Sequence, residues 1–310
     1  MSWTTPAWRR MRRTAGMKNN KLSRFAIPYV GWMTLFVVLP ILMVVIYAFS
    51  SAAGGFTLEN FARMGTYTVV FTRSFKLALI ATAVCLIIGY PIAYMMSKEG
   101  PRFQRVGMVL IMLPMWMNFL LRTYSWMSIL ENNGFLNQLF RNIGLIDLYN
   151  NIAIHFSANP AQYVPIDHFQ MINTQGAVVL GMVYNYLPFM ILPIYSVIVK
   201  LDRSLIEAAR DLGANTLQVF RRVILPLSLP GVLSGITMVF VPSVSTFAIS
   251  KMLGGGSELL LGDLIELQFF GGAYNPQLGA AISLVMMVIV VACMVIMNRF
   301  GEGEEQAVVL

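Results

Sequence analysis

Six long apolar segments dominate this sequence and constrain its fold more than any other feature. A helix that crosses a lipid bilayer needs about 20 mostly apolar residues. Hydrophobic residues make up 57% of the chain and charged residues only 12%, too few to cover the surface of a soluble domain. The sequence therefore predicts an all-α polytopic membrane protein. Its six transmembrane helices are expected at approximately Ile27–Phe49, Leu77–Met96, Val106–Leu130, Gly176–Val199, Pro230–Ile249 and Gly279–Met297.

The distribution of Lys and Arg predicts how these helices are oriented. Residues 1–26 form a tail that contains basic residues and no acidic ones, and the apolar run after it is too long for a signal peptide. If this tail is cytoplasmic, sixteen Lys and Arg residues lie inside and six outside, as the positive-inside rule requires. We therefore expect residues 1–26 and the C-terminal residues 298–310 in the cytoplasm, and attribute the net charge of +8 to orientation rather than to nucleic-acid binding. The basic residues of the first tail are Arg9, Arg10, Arg12, Arg13, Lys18, Lys21 and Arg24.

Residue types that carry catalytic or metal chemistry are scarce. Cys85 and Cys293 lie inside apolar runs, where a cysteine acts as a small hydrophobic residue. The two histidines, His155 and His168, are too few for a zinc site, which needs three or four ligands. The glycine-rich segment 254–257 lacks the lysine of a phosphate-binding loop. The sequence thus predicts no catalytic residue, no metal site and no cofactor on this chain.

Two connections are much longer than the two to eight residues, roughly, that join packed helices. The outer connection, residues 131–175, has apolar residues at helical spacing, which predicts a short amphipathic helix on the outer surface followed by irregular chain. The cytoplasmic connection, residues 200–229, has the features of a helix, a glycine turn and a second helix.

The first helix of the cytoplasmic connection is predicted from its cap and its small residues. Ser204 and Glu207 have the spacing of a capping box. Ala208 and Ala209 are strong helix formers with little bulk. Gly213 stands where a helix ends in a left-handed residue.

The second helix of this connection is expected to begin after the turn, with Asn215 or Thr216 as its cap, and to end at Pro226. Exposed apolar residues on such a unit favour either a partner protein or a position on the lipid headgroups. A DNA-binding helix-turn-helix is disfavoured because both ends are tethered to the bilayer. The predicted apolar face consists of Leu217, Phe220 and Ile224.

This connection resembles the EAA loop of ABC-importer permeases. The family pattern is Glu-Ala-Ala, three residues, Gly, nine residues, then Ile-x-Leu-Pro, and this chain departs from it only at Val223. Further segments are similar to the permeases of spermidine/putrescine importers. These are Gly89–Tyr94, Leu113–Asn118, Arg122–Tyr124, Gly134–Asn137 and Leu187–Met190.

The resemblance implies the six-helix fold of type I ABC-importer permeases over residues 27–297 and a multi-pass position in the bacterial inner membrane. It implies four kinds of partner besides lipid: a second permease subunit, two cytoplasmic ATPase subunits that hold ATP and Mg²⁺, and an extracytoplasmic binding protein. It assigns ATPase coupling to Glu207, Ala208, Ala209, Gly213, Leu217 and Phe220.

A polyamine pathway needs carboxylates, amide oxygens and aromatic faces. Candidates in the outer half are Trp116, Asn118, Tyr124, Glu131, Tyr184, Asn185, Asp263 and Glu266, with Trp126 and Tyr186 beside them. Interfacial anchoring also accounts for the aromatic residues, and solvation in the outer loops accounts for the acidic ones. Arg122, inside a span, is expected to be structural or to position a gate, with its partner on another helix or chain. Two alternatives remain open: an importer of a different small organic cation, amino-acid derivative or phosphonate, and a secondary transporter.

Overall fold

The structure, a computed structural model, describes residues 27–51, 54–156, 164–256, 259–272 and 274–305. The tail of residues 1–26 and the end of the C-terminal tail lie outside these ranges. In the described part the chain is helical, and its one isolated antiparallel bridge joins Ser50 and Phe56. The helices are α1 (Ile27–Ala48), α2 (Glu59–Arg63), α3 (Thr68–Lys98), α4 (Pro101–Trp116), α5 (Phe119–Leu130), α6 (Phe135–Asn142), α7 (Leu145–Phe156), α8 (Gln175–Lys200), α9 (Arg203–Asp211), α10 (Thr216–Ser245), α11 (Ala248–Leu253), α12 (Leu261–Phe270) and α13 (Pro276–Glu305).

Five of the described helices are long and apolar enough to cross a membrane: α1, α3 with α2 as its extension, α8, α10 and α13. The predicted third span, Val106–Leu130, is not one continuous helix. The chain bends by 89° between Pro101–Trp116 and Phe119–Asn142. Met117 and Asn118 are extended at this break, and the Asn118 side chain caps the helix that follows. Counted as one span, the bent pair brings the total to six, in agreement with the predicted fold class.

The chain divides into two compact units. The smaller unit consists of the described residues up to Met64 together with Asn275–Leu284. Within it, Asn60 donates hydrogen bonds to the carbonyl oxygens of Ala48 and Ser50, each at 3.0 Å. These bonds satisfy acceptors that the end of α1 leaves without a helical partner.

The larger unit, which consists of the described residues from Gly65 to Tyr274 and from Val285 onward, is built around α3, α8 and α10, which pack against one another. Small residues allow this close approach. The Gly231-x3-Gly235 spacing predicts a helix-packing face, and the structure confirms it. A Cβ atom on Gly231 would lie 2.9 Å from the Pro193 carbonyl oxygen, and one on Gly235 would lie 3.1 Å from that of Met190.

The connection over residues 131–175 contains two helices, α6 and α7, rather than the single one predicted. Two asparagines that the sequence reading missed fasten the chain after residue 163 onto these helices. Asn137 is fully buried and exchanges hydrogen bonds with the backbone of Phe169, at 2.9 and 3.0 Å. Asn150 makes the same pair of bonds with Ile166, both at 3.0 Å.

Candidate functional site

Helix α9 begins two residues earlier than the predicted capping box, which placed its cap at Ser204. The Asp202 carboxylate, not the Ser204 hydroxyl, caps the helix and accepts a hydrogen bond of 2.9 Å from the Ser204 backbone N–H. This bond lowers the pKa of the exposed Asp202 carboxyl below its ordinary value. The predicted Ser204–Glu207 capping box is therefore wrong, because an aspartate two residues upstream offers a stronger acceptor.

The turn after α9 confirms the predicted role of Gly213. Its φ of +83° is in the left-handed region, which only glycine adopts without strain. The Gly213 N–H donates to the Arg210 carbonyl oxygen at 2.8 Å, and the Ala214 N–H donates to that of Ala209 at 3.1 Å. No described atom lies within 4 Å of a Cβ built on Gly213. The backbone conformation, rather than lack of space, requires glycine here.

Helix α10 begins as predicted at an asparagine cap but does not end at Pro226. Asn215 and Gln218 form a reciprocal capping box, with both hydrogen bonds at 2.9 Å. The helix then passes through a π-helical turn over Phe220–Ile224 and continues as an α-helix to Ser245. Proline has no N–H and clashes with the carbonyl four residues earlier. The extra residue of the π-turn relieves this clash, so the loop and the fifth span form one helix.

The predicted apolar face of Leu217, Phe220 and Ile224 is wrong, because Leu217 points away from the other two. Leu217 is 71% exposed, whereas Ile224 is buried and Phe220 is half-buried. Val219, which the sequence reading did not single out, is buried in its place. The loop between α8 and α10 thus has two sets of residues. The outward set is exposed, and the inward set, which consists of Val219, Phe220 and Ile224, is buried or half-buried.

The outward set contains most of the predicted coupling residues. Glu207, Ala208 and Gly213 are exposed, and Ala209 is half-buried. Two leucines beside them were missed: Leu212 is 89% exposed and Leu205 is 47% exposed. Leucines this exposed on a short, well-capped loop are typical of a surface that a partner covers.

The inward set fastens the loop to α3 through aromatic contacts. The Phe220 ring meets the rings of Tyr90 and Tyr94 edge-on, with centroids 5.7 and 5.1 Å apart. The Tyr90 and Ser228 hydroxyl oxygens are 2.8 Å apart, which adds a hydrogen bond between α3 and α10. The Lys98 ammonium lies 4.0 Å from the Tyr94 ring centroid. Phe220 is therefore an internal anchor rather than a surface residue.

Arg122 lies next to the break in the third span and is almost fully buried. Its guanidinium donates to the carbonyl oxygen of Pro114 across the break. It also stands over the ring of Tyr184 on α8, with Cζ 5.7 Å from the ring centroid. Its Nε has no hydrogen-bond partner among the described residues. The partner on another helix is thus an aromatic ring and not a carboxylate.

The eight pathway candidates do not converge on one site. Trp116, Tyr124 and Glu131 are exposed. Tyr184 is half-buried and packs edge-on against Trp126, with centroids 5.4 Å apart. Asn185 is buried and donates to the Gly181 carbonyl oxygen at 2.8 Å.

Three further candidates form local contacts. Asn118 accepts from the backbone of Leu120 and so caps α5. Asp263 is buried at the start of α12, where it accepts from the Leu260 N–H at 2.9 Å, and burial raises its pKa. Glu266 is paired with Lys251 at 2.9 Å.

Five described helices long enough to cross a membrane, a bent pair that makes a sixth span, and a folded helix-turn-helix between α8 and the fifth span define a multi-pass membrane protein. The sequence profile of the family described as "Binding-protein-dependent transport system inner membrane component" matches residues 86–303. Because this match covers more than half of the chain, the protein belongs to that family. It is therefore a multi-pass inner-membrane permease subunit.

Relatives with named functions are similar over nearly their whole length. The chain is 37% identical to the spermidine/putrescine transport system permease protein PotB of Haemophilus influenzae over 293 residues, 92% of this chain and 96% of that protein. It is 37% identical to PotB of Escherichia coli K12 over 277 residues, 84% of this chain and 94% of that protein.

Solved structures support the fold. A chain of a bacterial ABC transporter involved in the import of alginate superimposes with a TM-score of 0.70 and 15% identity, covering 95% of this chain and 98% of that one. A chain of the MetNI methionine ABC transporter gives 0.54 and 16%, with 78% and 97% coverage. The superpositions establish the architecture, whereas identities this low give no information about the cargo.

Proposed function

We propose that this chain forms half of the membrane pathway of an ATP-driven importer whose cargo is a polyamine such as spermidine or putrescine. The identity of 37% to two PotB permeases, over nearly all of each protein, supports this cargo. A second permease subunit completes the pathway, and an extracytoplasmic binding protein delivers the cargo. The excess of Lys and Arg on one side supports a cytoplasmic position for both termini and for residues 200–229.

The single observation that carries the proposal is the division of the loop between α8 and α10 into an outward and an inward set. Outward, Leu212 and Leu217 are exposed next to Glu207 and the small Ala208. This surface suits a cleft on a cytoplasmic ATPase subunit, which binds ATP and Mg²⁺. The small alanine permits close approach of the partner, and Glu207 pairs with a basic group there.

The inward set gives the partner's movement a route into the membrane. A push on the outward residues reaches Phe220, which packs against Tyr90 and Tyr94 on α3. Because α10 continues without a break from Thr216 to Ser245, the same push acts directly on the fifth span. ATP-driven closure of two ATPase subunits then rocks α3 and α10 as a rigid body between two states.

Site-directed crosslinking tests the docking surface. In a variant without Cys85 and Cys293, Ala208→Cys should crosslink to the ATPase subunit, and addition of nucleotide should change the yield. Asn142→Cys, an exposed position on α6 that the proposal places on the other side of the membrane, is the matched control and should give no such product. If both cysteines behave alike, the docking assignment is wrong.

Uptake measurements test the function itself. Glu207→Lys and Gly213→Asp should each abolish uptake of radiolabelled putrescine and spermidine while the chain still inserts in the membrane. Gly213→Asp places a side chain and a negative charge at the left-handed turn of the outward surface, and Glu207→Lys reverses a charge there. Normal uptake in both variants would refute the coupling role. If the unmodified importer took up a different cargo and no polyamine, the proposed substrate would be wrong and the coupling role would be unaffected.

A further inference from the structure

An open pocket of about 410 Å³ lies where the ends of α5 and α11 meet the chain that leads into α8. This volume is within the range of small-molecule sites. Its polar lining consists of one carboxylate, Glu131, and the side-chain amides of Asn132, Asn133 and Asn173. Its apolar lining consists of Met127, Ile172 and Met252. No basic side chain belongs to this lining.

The backbone around the pocket adds negative potential. Glu131 directly follows the last residue of α5, so the pocket lies at the end of the helix where carbonyl oxygens lack helical partners and the macrodipole is negative. Gly134 closes the turn so tightly that a Cβ there would lie 2.6 Å from the carbonyl oxygens of Ser128 and Ile129. Carboxylate, amide and carbonyl oxygens together favour a cation that donates several hydrogen bonds.

A strained residue lines the same pocket. Asn173, with φ of +60°, is the one non-glycine residue with positive φ in the described ranges. Its N–H donates to the Leu253 carbonyl oxygen at 2.8 Å, which fastens it to the end of α11. A Cβ on Gly255 would lie only 2.1 Å from the Asn173 Oδ1, so a glycine there makes room for the amide. Strain of this kind concentrates at binding sites.

We infer that this pocket binds an aliphatic di- or triamine, with one ammonium group held by Glu131 and the asparagine oxygens. The methylene chain lies along Met127, Ile172 and Met252. This inference rests on the proposed function and makes the pocket an entry site for the cargo. The pocket lies next to the first residues of α8, whereas the loop over residues 200–229 follows its last residue. The helix has 26 residues, so its two ends are roughly 39 Å apart.

Labelling kinetics test binding directly. In the importer assembled with its own subunits, Asn132→Cys in a variant without Cys85 and Cys293 should react with a membrane-impermeant maleimide. Putrescine or spermidine should slow this reaction several-fold, and sodium ions at equal ionic strength should not. The matched control, Asn142→Cys, lies outside the pocket and should react at the same rate with and without the amine. Equal rates at Asn132→Cys with and without amine would overturn the inference.

Transport kinetics provide the second measurement. Glu131→Gln removes the charge and keeps the shape, and should raise KM for polyamine uptake on the order of tenfold, since charge-assisted hydrogen bonds are about twice as strong as neutral ones. Asn173→Gly removes the amide, tolerates the same φ, and should raise KM less. Asp147→Asn, which neutralises an exposed carboxylate in another pocket, should leave KM unchanged.

The outcomes separate the two proposals. If the unmodified importer takes up no polyamine, both the proposed cargo and this entry site are wrong. If it takes up polyamine but Glu131→Gln and Asn173→Gly leave KM unchanged, only the entry site is wrong.

Discussion

Pro114 and Pro226 each lie near a junction between helical segments, and the chain behaves differently after each of them. After Pro114 the chain breaks, and the helices on either side are bent by 89°. At Pro226 the helix runs on without interruption to Ser245. Both residues lack an N–H and would clash with the preceding turn of an α-helix. The difference must therefore come from their neighbours.

At the first junction, polar side chains support the break. Asn118 caps the helix that starts after it, and Arg122 donates to the carbonyl oxygen of Pro114. At the second junction, the π-turn over Phe220–Ile224 accommodates the proline within the backbone, and the Leu225 N–H bonds to the Phe220 carbonyl oxygen. The comparison teaches that a proline does not by itself decide where a helix ends: Pro114 lies inside α4, and the break follows at Met117, where other groups satisfy the freed backbone.

The largest effect is expected from Arg122→Ala. This change removes a buried donor from the Pro114 carbonyl oxygen and the contact with the Tyr184 ring. The free energy of unfolding should fall by about 2–3 kcal/mol, measured by thermal denaturation in detergent, with assembly and uptake lost in parallel. Arg122→Lys, which keeps the charge and one donor, should recover part of the loss. Unchanged assembly and uptake in Arg122→Ala would show that the break needs no such support.

Two single substitutions in the loop over residues 200–229 should distinguish the role of its inward set from that of its outward set. Phe220→Ala removes a half-buried ring from contact with Tyr90 and Tyr94, and should cost about 2 kcal/mol of stability. Leu217→Ala acts on a side chain that is 71% exposed and should change stability by less than about 0.5 kcal/mol. Co-purification with the ATPase should weaken in Leu217→Ala even though its stability is normal. The reverse order of stabilities would contradict the assignment of the two sets.

Removal of the helix cap at either junction should have a smaller effect on stability. Asn118→Ala removes the cap of α5, and Asn215→Ala removes one half of the reciprocal capping box of α10. Each should cost about 1 kcal/mol, measured as the shift in thermal midpoint. Asn118→Asp and Asn215→Asp, which keep the acceptor, serve as controls and should retain most of the stability.

The smallest effect is expected from Pro226→Ala. Because the π-turn already accommodates the proline, its removal should change stability by less than about 0.5 kcal/mol, the usual range for a surface position without a special role. Hydrogen exchange at Arg222 and Val223 would show whether the turn relaxes toward an α-helix. A large loss of stability would mean that Pro226 holds the π-turn in place.

Much of the loop over residues 200–229 could be predicted from local chemistry. Gly213 stands where a left-handed residue is needed and Asn215 where a cap is needed, and both requirements are settled within a few residues of chain. The capping box at Ser204 was wrong because Asp202, two residues upstream, already caps the helix through the Ser204 N–H. Periodicity alone placed Leu217 beside Phe220, since it cannot show which residue at the start of the helix packs against α3.

The pathway candidates show the limit of such reasoning. Glu131 and Asn173 are 42 positions apart in the sequence, yet they line one pocket. Trp116 and Asn118 are adjacent in the sequence to the break but do not join that pocket. Residue type identifies possible hydrogen-bond donors and acceptors, whereas only the packing of α5, α8 and α11 decides which of them line the same cavity.

The sequence by itself determined that this chain crosses a membrane and which loop is a folded helix-turn-helix, because apolar length, caps and glycine turns act over short stretches of chain. Tertiary structure alone decided where the third span breaks, which side of the loop is buried and which polar groups meet next to the start of α8. Those outcomes depend on the contacts that Arg122, Phe220 and Asn173 make with other helices, and the free energy of such contacts is set in three dimensions.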